Sequence, residues 1–104
     1  MEEVAFTMKL KPGVEAEYKR RHDEIWPELS MALTEAGVRD YSIYLDRTTN
    51  TLFAVQKRVD GHSAELLHEL PVVQRWWQYM ADLMDTNSDN SPVVQSLERM
   101  FHLD

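Results

Sequence analysis

Tyr18, His22 and Trp26 stand four residues apart, the spacing that lines side chains up along one side of a helix. Tyr18 and His22 also fall on the stripe of that helix which turns inward. An imidazole there has two uses. Either it is a core histidine satisfied by a backbone carbonyl or a tyrosine hydroxyl, as buried polar groups generally are, or it is an acid/base group. The second use suits its ordinary pKa near about 6.5, which lets it give or take a proton around neutrality. A second cluster is Trp76-Trp77 with Tyr79. Neighbours on a helix point about 100° apart, so two adjacent tryptophans cannot share one face. One is expected to anchor the core while the other lines a cleft. An aromatic face suits the C–H-rich face of a pyranose and adds on the order of 1 kcal/mol beyond the area it buries.

Other chemistries find little support. Three glycines, Gly13, Gly37 and Gly61, cannot build a dinucleotide-binding loop. There is no nucleophile elbow and no HExxH. His22, His62, His68 and His102 lack tight ligand spacing, so no metal site is expected. The chain has no cysteine, which removes disulfides and thiolate ligands together and fits a reducing compartment. Eleven basic against 18 acidic residues give a net charge of −7, which disfavours nucleic acid as a partner. The dense run Lys19-Arg20-Arg21 is flanked by Glu15, Glu17, Asp23 and Glu24 and reads as i,i+4 ion pairing on a solvated helix face. The start, Met-Glu-Glu-Val-Ala-Phe, has no basic segment or apolar run suited to export or membrane insertion. A cytoplasmic protein is expected.

The elements that must hold these residues follow from periodicity. Residues 3–10 alternate, with Val4, Phe6, Met8 and Leu10 on one side, and read as a half-buried strand. After Pro12-Gly13 the period becomes helical through Val14, Tyr18, His22, Ile25, Leu29 and Leu33, with Gly37 as the C-terminal cap. Pro27 lies within this pattern and predicts a kink. Residues 38–46 and 51–59 read as two strands joined by the polar turn Asp46–Asn50. A short helix is expected from Ser63 to Leu70, then another opening at Pro71 with Val73, Trp76, Trp77, Met80, Leu83 and Met84 on its apolar face. Asn87–Pro92 is dense in turn formers, and a last strand is expected over 93–102.

The order βαββαβ predicts one α+β domain over residues 1–104, ferredoxin-like, with an antiparallel sheet and helices on one face. The other face is not purely polar. Tyr44, Phe53 and Val55 lie opposite Tyr41, Ile43, Leu45, Leu52 and Ala54. An open apolar face on so small a domain predicts a homodimer of the dimeric α/β-barrel type, against the alternative of a crowded two-layer monomer.

Taken together, several segments resemble the L-rhamnose mutarotase family. Tyr18–Leu29 (YKRRHDEIWPEL) is similar to its first-helix signature, and Tyr41–Asp46 (YSIYLD) to its second strand. Gln74–Met80 (QRWWQYM) and Asn87–Pro92 (NSDNSP) resemble its two later signatures. The likeness runs from the first strand to the end. It implies a dimeric, cofactor-free aldose 1-epimerase that interconverts the anomers of L-rhamnose. It also implies that His22 is the acid/base residue and that Tyr18, Tyr41, Trp76 and Trp77 contact the sugar. One departure is Ser88, where the family carries proline. Two rival readings remain for this architecture: a cofactor-independent monooxygenase, and a sugar-binding module without turnover. Fold likeness alone does not choose among them.

Overall fold

Alternation in the first strand and the two hairpin strands, interrupted by helical periodicity, produces a two-layer α+β fold. The computed structural model describes residues 1–104. The elements are β1 (Glu2–Lys9), α1 (Glu15–Asp23), α2 (Pro27–Glu35), β2 (Val38–Asp46), β3 (Thr51–Arg58), α3 (Pro71–Met80) and β4 (Gln95–Leu97). The strands form one antiparallel sheet in the order β2-β3-β1-β4, the ferredoxin-like topology expected from the sequence. Met8, Leu52 and Ala54 on the inner face of the sheet pack with Leu29, Val72, Val73, Trp76 and Met80 from the helices. No helix is long and apolar enough to cross a membrane.

Three local outcomes differ from expectation, each for a physical reason. The single kinked helix is instead two helices. Proline lacks an N–H and drives the residue before it out of helical conformation. Trp26 is accordingly extended, at φ −62° and ψ 130°, and Pro27 opens α2 at its first position. The segment after Ser63 is a 3-10 helix, Ala64–Glu69, and α3 likewise tightens into a 3-10 turn at Ala81–Leu83. The last strand covers only Gln95–Leu97, because β1 pairs with it only through Ala5–Thr7. Beyond it, Met100 is 85% exposed and Phe101 and Leu103 nearly as much. Gly37 does cap α2, at φ +94°. A Cβ there would lie 2.7 Å from Val59 Cγ2, so the position is fixed as glycine by both conformation and space.

One irregularity matters for the site. The β2–β3 register shifts between Arg39 and Ser42, so Asp40 and Tyr41 together face Gln56. Asp40 takes the left-handed conformation, φ +47°. Such a bulge inserts one residue and re-aims the side chains that follow. It turns Tyr41, Ile43 and Leu45 inward.

Candidate active site

A cavity of about 920 Å³ opens between the inner sheet face and the helices, and Tyr18, His22, Tyr41, Trp76 and Trp77 all border it. The sequence-predicted residues are therefore brought to one place from α1, β2 and α3. Tyr18 is 7% exposed and belongs to the core cluster. The His22 ring stacks on it at 4.4 Å with a 30° tilt and meets Trp76 edge-on at 5.4 Å.

The His22 tautomer follows from its contact. Nδ1 lies 3.1 Å from the main-chain carbonyl of Tyr18. A carbonyl only accepts, so Nδ1 carries the proton and donates it. Nε2 keeps its lone pair and makes no hydrogen bond within the chain. No fully buried side-chain polar atom lacks a partner, so Nε2 is open to the cavity. Burial lowers the His22 pKa below 6.5, against the opposing effects of the Tyr18 carbonyl and the Asp23 charge. At neutral pH the ring is a neutral imidazole with its basic nitrogen free. One nitrogen is thus satisfied by the backbone, as a core histidine's would be, while the other is left without a protein partner.

The phenols behave oppositely. Burial raises the pKa of Tyr18, and the neighbouring Tyr41 adds to the effect. Tyr41 is 39% exposed as a residue, but its side chain borders the cavity, and desolvation of the phenol pushes it up to about 12, with Arg58 pulling the other way. Both stay protonated at neutral pH, as hydrogen-bond donors. Neither indole N–H of Trp76 or Trp77 bonds to a protein group. Trp76 is buried and Trp77 half-buried, and both border the cavity. Trp26 has left the Tyr18–His22 row and packs edge-on against Trp76 at 5.1 Å and beside Tyr79 at 5.5 Å. It supports the aromatic wall from behind. No three His, Asp or Glu side chains converge closely enough to hold a metal ion.

Two features of this site were not read from the sequence. Lys19 and Arg20 do form surface pairs, with Asp23 at 2.9 Å and with Glu17 and Glu24 at 2.6 Å. Arg21 does more. Beyond its 2.7 Å pair with Glu17 it reaches Asp82 at 2.8 Å and the Tyr79 carbonyl at 2.6 Å, with its guanidinium 4.5 Å above the Tyr79 ring. It ties α1, which carries Tyr18 and His22, to the end of α3, which carries the tryptophans. Nothing in the i,i+4 pattern distinguishes it from Arg20. The other feature is Gln56 and Arg58 on β3, both bordering the cavity. Their signal was available, since they sit on the inward parity with Leu52 and Ala54.

The Asn87–Pro92 segment is an ordered loop. Asn87 N–H donates to the Ser91 carbonyl at 2.8 Å, and Asp89 Oδ1 accepts from Ser91 N–H at 3.0 Å. Ser88 is exposed and bonds none of these groups. The residue that departs from the family pattern therefore does not hold the loop.

Comparison with known proteins bears on what this cavity acts upon. The family model described as L-rhamnose mutarotase matches residues 3–103. The L-rhamnose mutarotase of Rhizobium johnstonii is 58% identical over 103 residues, 99% of this chain and 97% of the relative. That of Burkholderia ambifaria is 58% identical over 104 residues and the full length of both. Among solved structures, the L-rhamnose mutarotase of Formosa agariphila is 46% identical, superimposes with a TM-score of 0.93, and covers 100% of both chains.

Proposed function

This chain belongs to the L-rhamnose mutarotase family, and from that premise we propose that it interconverts the α and β anomers of L-rhamnopyranose, with His22 as the acid/base. Ring opening requires removal of the anomeric hydroxyl proton and delivery of a proton to the ring oxygen. Rotation about C1–C2 then allows closure on the other face. The observation that carries this reading is the hydrogen bond from His22 Nδ1 to the Tyr18 carbonyl, which leaves Nε2 as the unprotonated nitrogen. Tyr18 and Tyr41 supply donors to sugar oxygens, and Trp76 and Trp77 supply an apolar wall for the ring and its C5 methyl group. Because mutarotation already proceeds in water, general acid–base help of about 10²- to 10⁴-fold is sufficient, with no nucleophile called for. Saturation-difference NMR of L-rhamnose tests it: anomer exchange is expected to accelerate in proportion to enzyme concentration. Exchange at the buffer rate would exclude the assignment.

We also propose that the protein works as a homodimer joined through the outer face of the sheet. Tyr44, 65% exposed, Phe53 and Leu97 lie there with Val55 and Ala5. A second copy is the fitting occupant because this face is locally neutral in an acidic chain. Lys57 pairs with Asp40 at 3.6 Å and Glu3 with Arg99 at 2.8 Å. Two such faces meet without the repulsion that a net charge of −7 would otherwise bring. Phe53→Lys is expected to convert a dimer to a monomer in light scattering, and a wild-type monomer would overturn the proposal.

A further inference from the structure

The wall of the cavity opposite the helices holds an unusual polar pair. Gln56 is only 5% exposed and lies on β3 facing the bulged residues Asp40 and Tyr41. Its Oε1 accepts a 2.8 Å hydrogen bond from Arg58 Nε. That bond settles the amide orientation, since only the oxygen can accept from a guanidinium. The Gln56 NH₂ therefore points away from Arg58. It meets no protein acceptor, and because no fully enclosed polar atom is unpartnered, it is reached from the cavity.

Arg58 is equally unspent. Four Lys and Arg side chains border this cavity: Lys19, Arg39, Arg47 and Arg58. Lys19 is taken by Asp23 and Arg47 by Glu15, while Arg39 donates to the carbonyls of Thr34 and Val38. Arg58 has only Gln56. Of the acids on the flanking strands, Asp40 pairs with Lys57 on the other side of the sheet, and Glu2, opposite Arg58 on β1, lies against His62 at 3.4 Å. A half-buried guanidinium and a buried amide with free donors carry a desolvation cost until acceptor oxygens reach them. Around them the wall is apolar, with Phe6, Leu33, Val38 and Ile43 nearby along the same cavity.

We propose that Gln56 and Arg58 form a substrate-specificity site, in which Gln56 Nε2 and Arg58 Nη1 and Nη2 donate to hydroxyl oxygens of the sugar remote from C1. This rests on the mutarotase reading and adds what reads the sugar's hydroxyl pattern. His22 acts at the anomeric centre, which every aldopyranose shares, so discrimination must come from donors placed elsewhere. Fixed donors discriminate strongly, because a hydroxyl of the wrong configuration leaves them unpaired.

The test compares L-rhamnose with L-fucose, which differ in hydroxyl configuration at C2 and C4, in wild type, Gln56→Leu and Arg58→Met. Anomer exchange gives kcat and KM, and quenching of tryptophan fluorescence gives Kd without turnover. Each variant is expected to raise KM and Kd for L-rhamnose about tenfold, with a much smaller change in kcat, since the lost contacts bind ground state and transition state alike. The rhamnose-over-fucose ratio in kcat/KM should shrink. Unchanged Kd and an unchanged ratio in both variants would overturn the proposal. So would equal losses on both sugars with a lowered Tm, the mark of a merely structural role. A wild type that binds L-rhamnose without accelerating exchange would sink the mutarotase reading instead, and the Kd comparison would still decide this one.

Discussion

His22→Ala is expected to return L-rhamnose anomer exchange nearly to the rate of buffer, a loss of about 10²- to 10⁴-fold, the usual worth of a placed general acid/base. The side chain is half-buried on α1 and contributes no tertiary hydrogen bond, its one bond being to the Tyr18 carbonyl a turn earlier. Alanine is the best helix former, so the fold should persist, and far-UV circular dichroism checks that. His22→Gln separates shape from proton transfer. It offers a polar group at similar reach but cannot titrate, and it should be as inactive as the alanine variant. A glutamine variant with most of the wild-type rate would remove His22 from the chemistry.

The pH dependence has a definite sign. With the neutral imidazole of His22 as the proposed base, kcat/KM is expected to fall as acid protonates Nε2. Burial lowers the His22 pKa, so this fall is expected on the acid side of 6.5. Stability follows the same linkage. The unfolded chain takes up the proton first as pH drops, so His22 weakens the fold below the unfolded value and adds no dependence above it. In His22→Gln the corresponding limb of the rate profile should vanish. A wild-type limb above 6.5 would contradict the burial of this ring.

How much of this was legible in the sequence depends on the range over which each feature is set. Strand parity in β1 and β3 is a local property and survives folding intact. The Tyr18–His22 stack is likewise fixed within one turn of one helix. Trp26 was out of reach of that periodicity, because Pro27 ends the helix geometry that four-residue spacing presumes. The 93–102 strand failed because pairing depends on a neighbour. Its residues carry no clean alternation, with Val93-Val94 and Met100-Phe101 adjacent, and β1 offers partners only at Ala5–Thr7.

Tyr41 shows the finer difficulty. Counting by twos from the buried Val38 would turn 40, 42 and 44 inward. The extra residue at the Asp40 bulge shifts the parity, and 41, 43 and 45 face the cavity instead. The sequence grouped Tyr41 with Ile43 and Leu45 on one face of the strand, opposite Tyr44, and the family likeness put it at the sugar. What alternation does not reveal is the positive φ at Asp40 that breaks this face's parity from Val38. Gln56 and Arg58 are the converse. Their parity was plain, but polar residues at the end of a strand look like ordinary surface until the facing layer is known to leave a cavity over them.

Trp76→Ala is expected to be the most damaging single change to stability. The ring is 8% exposed within the core cluster, edge-on to both His22 and Trp26 and 5.6 Å from Tyr79. Truncating a buried aromatic costs about 3–5 kcal/mol, a large part of the roughly 5–15 kcal/mol that holds a domain folded. The change should lower Tm by about 12 °C or more, given 4–8 °C per kcal/mol for a chain of this size. Activity should fall further than the unfolded fraction explains, since the His22 edge contact goes with the ring. Trp76→Phe separates these effects: it keeps an aromatic edge near His22 but removes the indole N–H and part of the wall, so it should cost less stability and act mainly on KM. Trp77→Ala provides the contrast. Its ring is only half-buried, so its loss should spare Tm relative to Trp76→Ala and still weaken sugar binding. A Trp76→Ala protein with wild-type Tm would mean that the Trp76 ring contributes little to the core cluster in which it is buried.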